Sequence, residues 1–209
     1  CVARSAAMSR LSLTPWALAA LLAVGADTPH LQDYPLLRAE ALQRRAQYVD
    51  ARDACKQALA YAQQSRDHAA ELAALRRLSL IMEDMADPDA NEIATRALQL
   101  SQSTHDQSTH ALLLVDAANG HWKRGEYREA EALLDAALTD QRERVDRVGE
   151  TQSLSLRARI AYKIGHYDEA LAGFERVLQR HQEQHDLQAQ SATQIDIGLV
   201  HLDRRSFDK

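Results

Sequence analysis

The chain has 209 residues, of which 45% are hydrophobic, and this content argues against a disordered chain. The formal net charge is -5 at pH 7 and basic residues are interspersed with acidic ones, which disfavours binding to a nucleic-acid backbone. Only seven Gly and four Pro accompany abundant Ala, Leu, Gln, Arg and Glu, so the composition predicts an all-α protein.

The first 26 residues differ from the rest of the chain. Met8, the expected start, is followed by Arg10, an uncharged run over 11–26, and small residues that end at Ala26. This order is typical of a secretory signal peptide, so residues 1–26 are predicted to direct export, to the periplasm of a bacterium. A membrane span needs roughly 20 apolar residues, and an uncleaved anchor or a buried first helix remain alternatives. Residues 1–7 are interpreted as upstream sequence or the edge of a fragment.

Cys55 is the cysteine that remains after removal of such a peptide, so no internal disulfide is available. A catalytic thiol needs an oriented histidine and an electropositive pocket. The surrounding pattern, AxxxCxxALAY, instead predicts that Cys55 is a small buried residue on the apolar face of a helix.

A register of about forty residues runs through the rest of the chain. One set of alanines and one set of aspartates both recur at intervals of 39, 40 and 40 residues. The alanines are Ala51, Ala90, Ala130 and Ala170, and the aspartates are Asp67, Asp106, Asp146 and Asp186. Two independent markers that keep the same step indicate a repeat protein.

Each repeat unit is predicted to be a pair of helices, because residues at i, i+3, i+4 and i+7 are apolar in two segments of a unit. Gly125 and Gly165 are expected to end the first helix, since glycine adopts the left-handed conformation without a steric penalty. Tyr127 and Tyr167 are expected to fill the elbow that follows. In the second unit Asp87 and Pro88 replace this motif, and Asp followed by Pro predicts a helix start there.

The helix pairs need small residues at their closest approach. Ala130 and Ala170 are expected to let two helix backbones come close, with Leu134 and Phe174 filling the wider gap one turn later. Each repeated aspartate precedes the first helix of the next unit and is expected to accept hydrogen bonds from its free N–H groups.

The pattern Gly-x-Tyr-x-x-Ala-x6-Ala or Val, at 125–137 and 165–177, resembles the tetratricopeptide repeat (TPR) family. Weaker copies lie at 48–59 and 87–98, and the resemblance covers roughly residues 32 to 209. It implies an all-α, right-handed TPR-like α-solenoid of antiparallel helix pairs with about four and a half repeats. The expected units lie near 32–70, 71–110, 111–150, 151–190 and 191–209, the last incomplete. HEAT-type repeats, which share the longer period, are the alternative fold.

The resemblance places the first helix of each unit on the concave side of the solenoid. The residues expected to form a peptide-binding groove there are Asn119, Trp122, Lys123, Arg159, Tyr162 and Lys163. Aromatic and cationic side chains are common anchors of binding sites, so the expected partner is a protein or peptide with acidic groups. In the alternative interpretation, Trp122 and Tyr162 pack between helices and the cations are solvated.

The sequence predicts no catalytic residue, no metal site and no cofactor. His181 and His185 lie four residues apart, which places both imidazoles on one helix face where a metal could bridge them, but Glu183 is not where the zinc-protease motif requires it. No glycine-rich phosphate loop and no G-x-S-x-G nucleophile elbow occurs. A hydrolase built on helical repeats therefore has no candidate nucleophile.

The expected function is that of an exported, non-catalytic interaction or sensory module. Long repeats after a signal peptide resemble the N-terminal part of bacterial TPR-linked diguanylate cyclases, whose GGDEF output domain would follow a membrane helix beyond Lys209. The fifth unit stops where its second helix should begin, so the chain is expected to continue. The alternatives are a stand-alone periplasmic adaptor or assembly scaffold, and the sensor part of a histidine kinase.

Overall fold

The computed structural model of the protein describes residues 34–207, with side chains as far as Arg204. The predicted signal peptide, residues 1–26, lies outside the described residues. The helices of the described range are α1 (Pro35–Arg44), α2 (Tyr48–Ser65), α3 (His68–Asp84), α4 (Ala90–Ser103), α5 (Gln107–Lys123), α6 (Tyr127–Glu143), α7 (Arg147–Lys163), α8 (Tyr167–Glu183) and α9 (Leu187–Phe207).

The helices stack in sequence order. Each one packs against the next, and α1, α3, α5 and α7 also contact one another in succession. These odd-numbered helices, the first of each pair, therefore form one layer, and the second helices pack against it. Residues 34–207 contain no strand. The predicted all-α solenoid of antiparallel helix pairs is confirmed. No helix within residues 34–207 has the length and hydropathy that a membrane crossing requires.

The repeated aspartates cap the first helices. Asp67, Asp106, Asp146 and Asp186 accept hydrogen bonds from the backbone N–H groups of Ala70, Thr109, Gly149 and Ala189, at 2.9 to 3.0 Å. At Asp106 the hydroxyl of Thr109 donates a second bond, and these bonds hold the pKa of the Asp106 carboxyl below its usual value. The predicted caps are confirmed, and each satisfies an N–H group that has no partner within its helix.

The turns between paired helices all contain a residue with positive φ. Gly125 and Gly165 have φ of 80° and 83°, while Ala46 and Ala86 occupy the same place in the first two units with φ of 57° and 54°. In each turn the next residue donates its N–H to a carbonyl five residues earlier, as Glu126 does to His121 at 2.9 Å. The turn therefore requires the left-handed conformation, which glycine adopts without strain and alanine adopts at a cost.

The second unit begins its second helix later than the sequence predicts. The side chain of Asp87 accepts the N–H of Asp89 at 3.1 Å, and the Asp87 carbonyl accepts the N–H of Ala90 at 3.1 Å. These bonds hold 87–90 in a turn, so α4 starts at Ala90 and has 14 residues where α6 and α8 have 17. The prediction of a helix start at Asp87 and Pro88 is wrong by about one turn.

The core consists of small and large apolar residues at fixed places in the register. Ala51, Ala130 and Ala170 have no exposed surface, and Ala90 is also buried. Between α7 and α8, a methyl group on Gly173 would lie 2.8 Å from the Cβ of Ala158, so this pair depends on the absence of a side chain. Cys55 is buried, and burial raises the pKa of its thiol to about 12. The prediction that Cys55 is a core residue is confirmed.

Candidate functional site

A cleft of about 440 Å³ runs between the first helices α5 and α7 and reaches the turn before α9. We call it the inner cleft. Its lining side chains from α5 are Val115, Asp116 and Asn119; those from α7 are Val148, Thr151, Gln152, Ser155, Leu156 and Arg159; and those beyond α7 are His181, Gln184 and Asp186. It is formed where two helices of the same layer, one from each of two adjacent units, lie side by side.

The inner cleft contains polar side chains without partners in the described part of the chain. Asn119, Gln152 and Gln184 each present a carboxamide, and Ser155 presents a hydroxyl. None of these four side chains hydrogen-bonds to another residue within 34–204. A carboxamide offers both donors and an acceptor, which is the set that a peptide backbone needs. The arrangement can therefore bind an extended backbone.

The charged side chains of the inner cleft are paired with neighbouring first helices. Asp116 accepts from Arg76 of α3 at 2.5 Å, and Arg159 lies 3.7 Å from Asp196 of α9. The first pair is a short hydrogen bond, whereas the second is too long for one. The guanidinium of Arg159 therefore keeps its donors available at the end of the cleft nearer α9.

Two of the six residues predicted for the groove, Asn119 and Arg159, line the inner cleft. Trp122 lies about one turn further along α5 and is partly buried against the cluster that contains Ala118 and Leu156. The indole N–H of Trp122 is buried and has no acceptor among the described residues.

The other three predicted residues contact side chains of their own chain. Lys123 donates to Asp84 at 3.3 Å, and the ammonium of Lys163 lies 5.6 Å from the centre of the Tyr162 ring. Tyr162 donates to Asp203 of α9, and this hydrogen bond raises the pKa of the phenol to about 12. Lys123, Tyr162 and Lys163, like Trp122, lie outside the inner cleft.

Sequence reasoning did not assign to a site three of the unpartnered polar residues that line the inner cleft, Gln152, Ser155 and Gln184. A signal for two of them was present, because Gln152 and Ser155 precede Arg159 by seven and four residues and therefore share its helix face. Helix periodicity could not identify Gln184, because this residue follows the end of α8. The turn between α8 and α9 places it beside the cleft.

The described residues contain no group of three or more His, Cys, Asp and Glu side chains placed to hold a metal ion. His181 and His185 do not share a helix face. Helix α8 ends at Glu183, and His185 has a φ of 56° because its N–H bonds back to the carbonyl of Gln182. The interpretation of this pair as one face is wrong, since the turn rotates the second imidazole away from the helix.

Glu83 occupies an unusual place between α3 and α5. At the register position of Gly120 three other units have Ile81, Ile160 and Val200, which are completely buried. A methyl group on Gly120 would lie 2.2 Å from a carboxylate oxygen of Glu83, so the carboxylate fills the space that a branched side chain fills elsewhere. Its second oxygen is buried and accepts no hydrogen bond from the described residues.

The environment of Glu83 predicts that acidification stabilises the fold at this site. Burial raises the pKa of Glu83 above its ordinary value of 4.5, although Lys123 and Arg124 oppose the shift. A carboxyl whose folded pKa is raised stabilises the fold below its unfolded pKa and loses that contribution as the pH rises through the folded pKa. Glu83→Gln is therefore expected to raise the free energy of unfolding at pH 7, and this gain should disappear below about pH 4.5.

Urea denaturation of the protein and the Glu83→Gln variant over this pH range measures the effect. Glu175→Gln, on the exposed surface of α8, is the control and should change the free energy of unfolding by less than about 0.5 kcal/mol. A difference between Glu83→Gln and the unmodified protein that does not vary with pH would contradict the prediction.

No protein-family model and no curated protein matches the chain. Among solved structures, BtubC (BKLC) from P. vanneervenii superimposes with a TM-score of 0.72 at 21% identity, over 86% of this chain and 75% of that one. A Podosopora anserina protein of kinesin light chain type, with nearly identical TPR-like repeats, superimposes with a TM-score of 0.66 at 16% identity, over 86% of this chain and 90% of that one. A variant of the second protein superimposes with a TM-score of 0.66 at 17% identity, over 85% of this chain and 88% of that one. These similarities show the fold, which is a TPR-like α-solenoid.

Proposed function

We propose that the chain is a non-catalytic protein-interaction module that binds an extended peptide segment in the inner cleft. The observation that carries the proposal is a set of carboxamides, Asn119, Gln152 and Gln184, that have no partner within residues 34–204 and line a cleft between two first helices. Carboxamides without partners inside the protein retain their hydrogen-bonding capacity for a peptide backbone. TPR-like solenoids commonly present such concave surfaces to partners.

The chemistry of the cleft favours a peptide with an acidic side chain near Arg159. Asp116 is already engaged by Arg76, whereas the side chain of Arg159 is 48% exposed and its contact with Asp196 is long. An Arg with available donors binds a carboxylate through two parallel hydrogen bonds. A longer peptide would continue past Trp122 and Tyr162 toward Lys123 and Lys163, the other residues of the predicted groove.

Selection from a random peptide library on the full chain tests this proposal. Peptides that bind are expected to lose about tenfold or more in affinity with the Asn119→Ala, Arg159→Ala double variant. Arg157→Ala is the matched control, because Arg157 belongs to the same helix but pairs with Asp135 of α6 at 2.9 Å. Peptides that bind the double variant as well as the unmodified chain would remove the inner cleft from the proposal.

We further propose that the module is exported to the periplasm. The support for this is the sequence of residues 8–26, with one early Arg, an uncharged run and small residues before Asp27. Expression in a bacterium with a C-terminal tag, followed by mass spectrometry of the periplasmic fraction, should give a mature protein that begins at Asp27. Recovery of the uncut chain from the cytosol would contradict export.

A sensory role in a bacterial signalling protein such as a diguanylate cyclase is the finer proposal, and it is supported by the resemblance of the long repeats alone. A periplasmic adaptor or a histidine kinase sensor would use the same module. Sequencing of the gene beyond the codon for Lys209 separates them. A membrane span followed by a GGDEF motif is expected for the cyclase, a kinase domain for the sensor kinase, and a capping helix with a stop codon for the adaptor.

A further inference from the structure

A second cleft, of about 620 Å³, opens between the second helices α6 and α8 over the N-terminal half of α7. We call it the arginine cleft because Arg142, Arg147, Arg176 and Arg180 line it. Its acidic lining residues are Glu150 and Glu183, so the cleft carries more positive than negative side chains in a chain whose net charge is -5. A local excess of positive charge in a concave site attracts anions.

Half of these arginines are already used by the fold. Glu150 accepts from Arg142 at 3.1 Å and lies 2.7 Å from the guanidinium of Arg180. Burial acts to raise the pKa of Glu150, but the hydrogen bonds from the two arginines outweigh it and hold the pKa below its usual value. Glu150 is therefore ionised at neutral pH, and one carboxylate joins α6, α7 and α8.

The other two arginines have no acidic partner among residues 34–204. The side chains of Arg147 and Arg176 are exposed, and neither makes an ion pair or a hydrogen bond with any residue of the described range. Glu183, the second acid of the cleft, accepts instead from Gln179 at 3.1 Å. Two guanidinium groups in one cleft are thus available to an external oxyanion.

The repeat register shows that the fold does not require Arg147 and Arg176. Forty residues before Arg142, Arg147, Arg176 and Arg180 stand Gln102, Gln107, Ala136 and Asp140. Helices α5 and α6, which contain Gln107, Ala136 and Asp140, have 17 residues each, as α7 and α8 do, so helices of this length form without arginine at these three places. The charge of the arginine cleft is therefore specific to one junction of the solenoid, which is expected of a binding site and not of a structural requirement.

We infer that the arginine cleft binds an acidic peptide segment of a partner protein, whose carboxylate or phosphate groups contact Arg147 and Arg176. The planar guanidinium group fits both oxyanions with two parallel hydrogen bonds. The low number of cations and the acidic chain disfavour a nucleic acid, which needs a longer positive surface. Gln184 lines both clefts, but Arg147 and Arg176 lie outside the inner cleft, and Asn119 and Arg159 lie outside the arginine cleft, so each proposal can fail independently of the other.

Fluorescence anisotropy with three labelled decapeptides tests the inference on the full chain. The peptides alternate Gly with Glu, with phosphoserine or with Gln. At least one acidic peptide is expected to bind about tenfold or more tightly than the Gln peptide, and the stronger of the two identifies the group that the cleft prefers. A labelled ten-nucleotide thymidine strand that binds more tightly than both acidic peptides would overturn the assignment to a peptide.

The decisive variant is Arg147→Gln with Arg176→Ala, because the preceding unit itself has Gln107 and Ala136 at these places. It is expected to lose about tenfold or more of the affinity for the acidic peptide. The control, Lys56→Gln with Arg128→Ala, removes two exposed positive charges elsewhere and should change that affinity by less than about twofold. Equal losses in variant and control would show non-specific attraction and overturn the site.

A second measurement uses the unmodified protein and does not depend on the folding of a variant. Phenylglyoxal modifies accessible arginines, and mass spectrometry locates the products. The bound acidic peptide is expected to protect Arg147 and Arg176 and to leave Arg128 equally reactive. Binding without protection of Arg147 and Arg176 would place the peptide elsewhere and contradict the proposal.

Discussion

Replacing Phe174 by alanine is expected to lower the free energy of unfolding by about 3 to 5 kcal/mol. Phe174 is 1% exposed and packs in a cluster with Ala158, Ala161, Ala170, Leu171 and Val200. Three of these neighbours are alanines, which have no flexible atoms to move into the space that the ring leaves. Much of the cavity would therefore remain open, and the cost would include both the lost contacts and the lost burial.

Urea denaturation followed by far-UV circular dichroism measures this loss. Tyr61→Ala is the control, because it removes an aromatic ring that is 73% exposed, and it should change the free energy of unfolding by less than about 0.5 kcal/mol. A similar small change for Phe174→Ala would show that the ring does not hold α8 in place. A lower transition slope would indicate instead that the repeats no longer unfold together.

The repeat register predicts which way Phe174 faces but not which residues pack against it. In the four units this place is occupied by Cys55, Ala94, Leu134 and Phe174, so the side chain changes in size from unit to unit. The register predicts that each of them faces the neighbouring helix. It does not predict which partners compensate for the change in size, because these lie on helices of a different unit.

Local features of the chain were predictable because their causes are local. Asp106 and Asp146 cap helices by bonds to N–H groups three residues away, and the glycine turns follow from one conformational preference. The turn at Asp87 to Ala90 was not predicted correctly, since its side-chain bond to Asp89 competes with the helix start that Pro88 would favour.

The candidate site was less predictable because its geometry depends on contacts between units. Lys123 with Asp84, and Tyr162 with Asp203, are pairs separated by 39 and 41 residues. The two residues of each pair belong to different repeat units, and the pattern within one unit does not predict that their side chains are in contact. The same holds for Glu83, which lies against Gly120 and takes the space of a missing side chain.

Replacing Ala130 by leucine is expected to destabilise the fold by about 1 to 3 kcal/mol. Ala130 has no exposed surface and lies in a cluster with Ala118, Leu134, Leu156 and Ile160. This position holds a buried alanine in four units, which indicates that the approach of the two helices of a pair leaves room for one methyl group. A larger side chain must push α5 and α6 apart or take a strained rotamer.

Ala136→Leu provides the matched control, because Ala136 lies on the same helix with its side chain exposed. Alanine and leucine both favour helix, so any difference between the two variants reports packing and not helix propensity. Equal free energies of unfolding for the two variants would contradict the packing role of Ala130. A loss at Ala130 alone would locate the constraint in the contact between paired helices, the contact that recurs with the register of about forty residues.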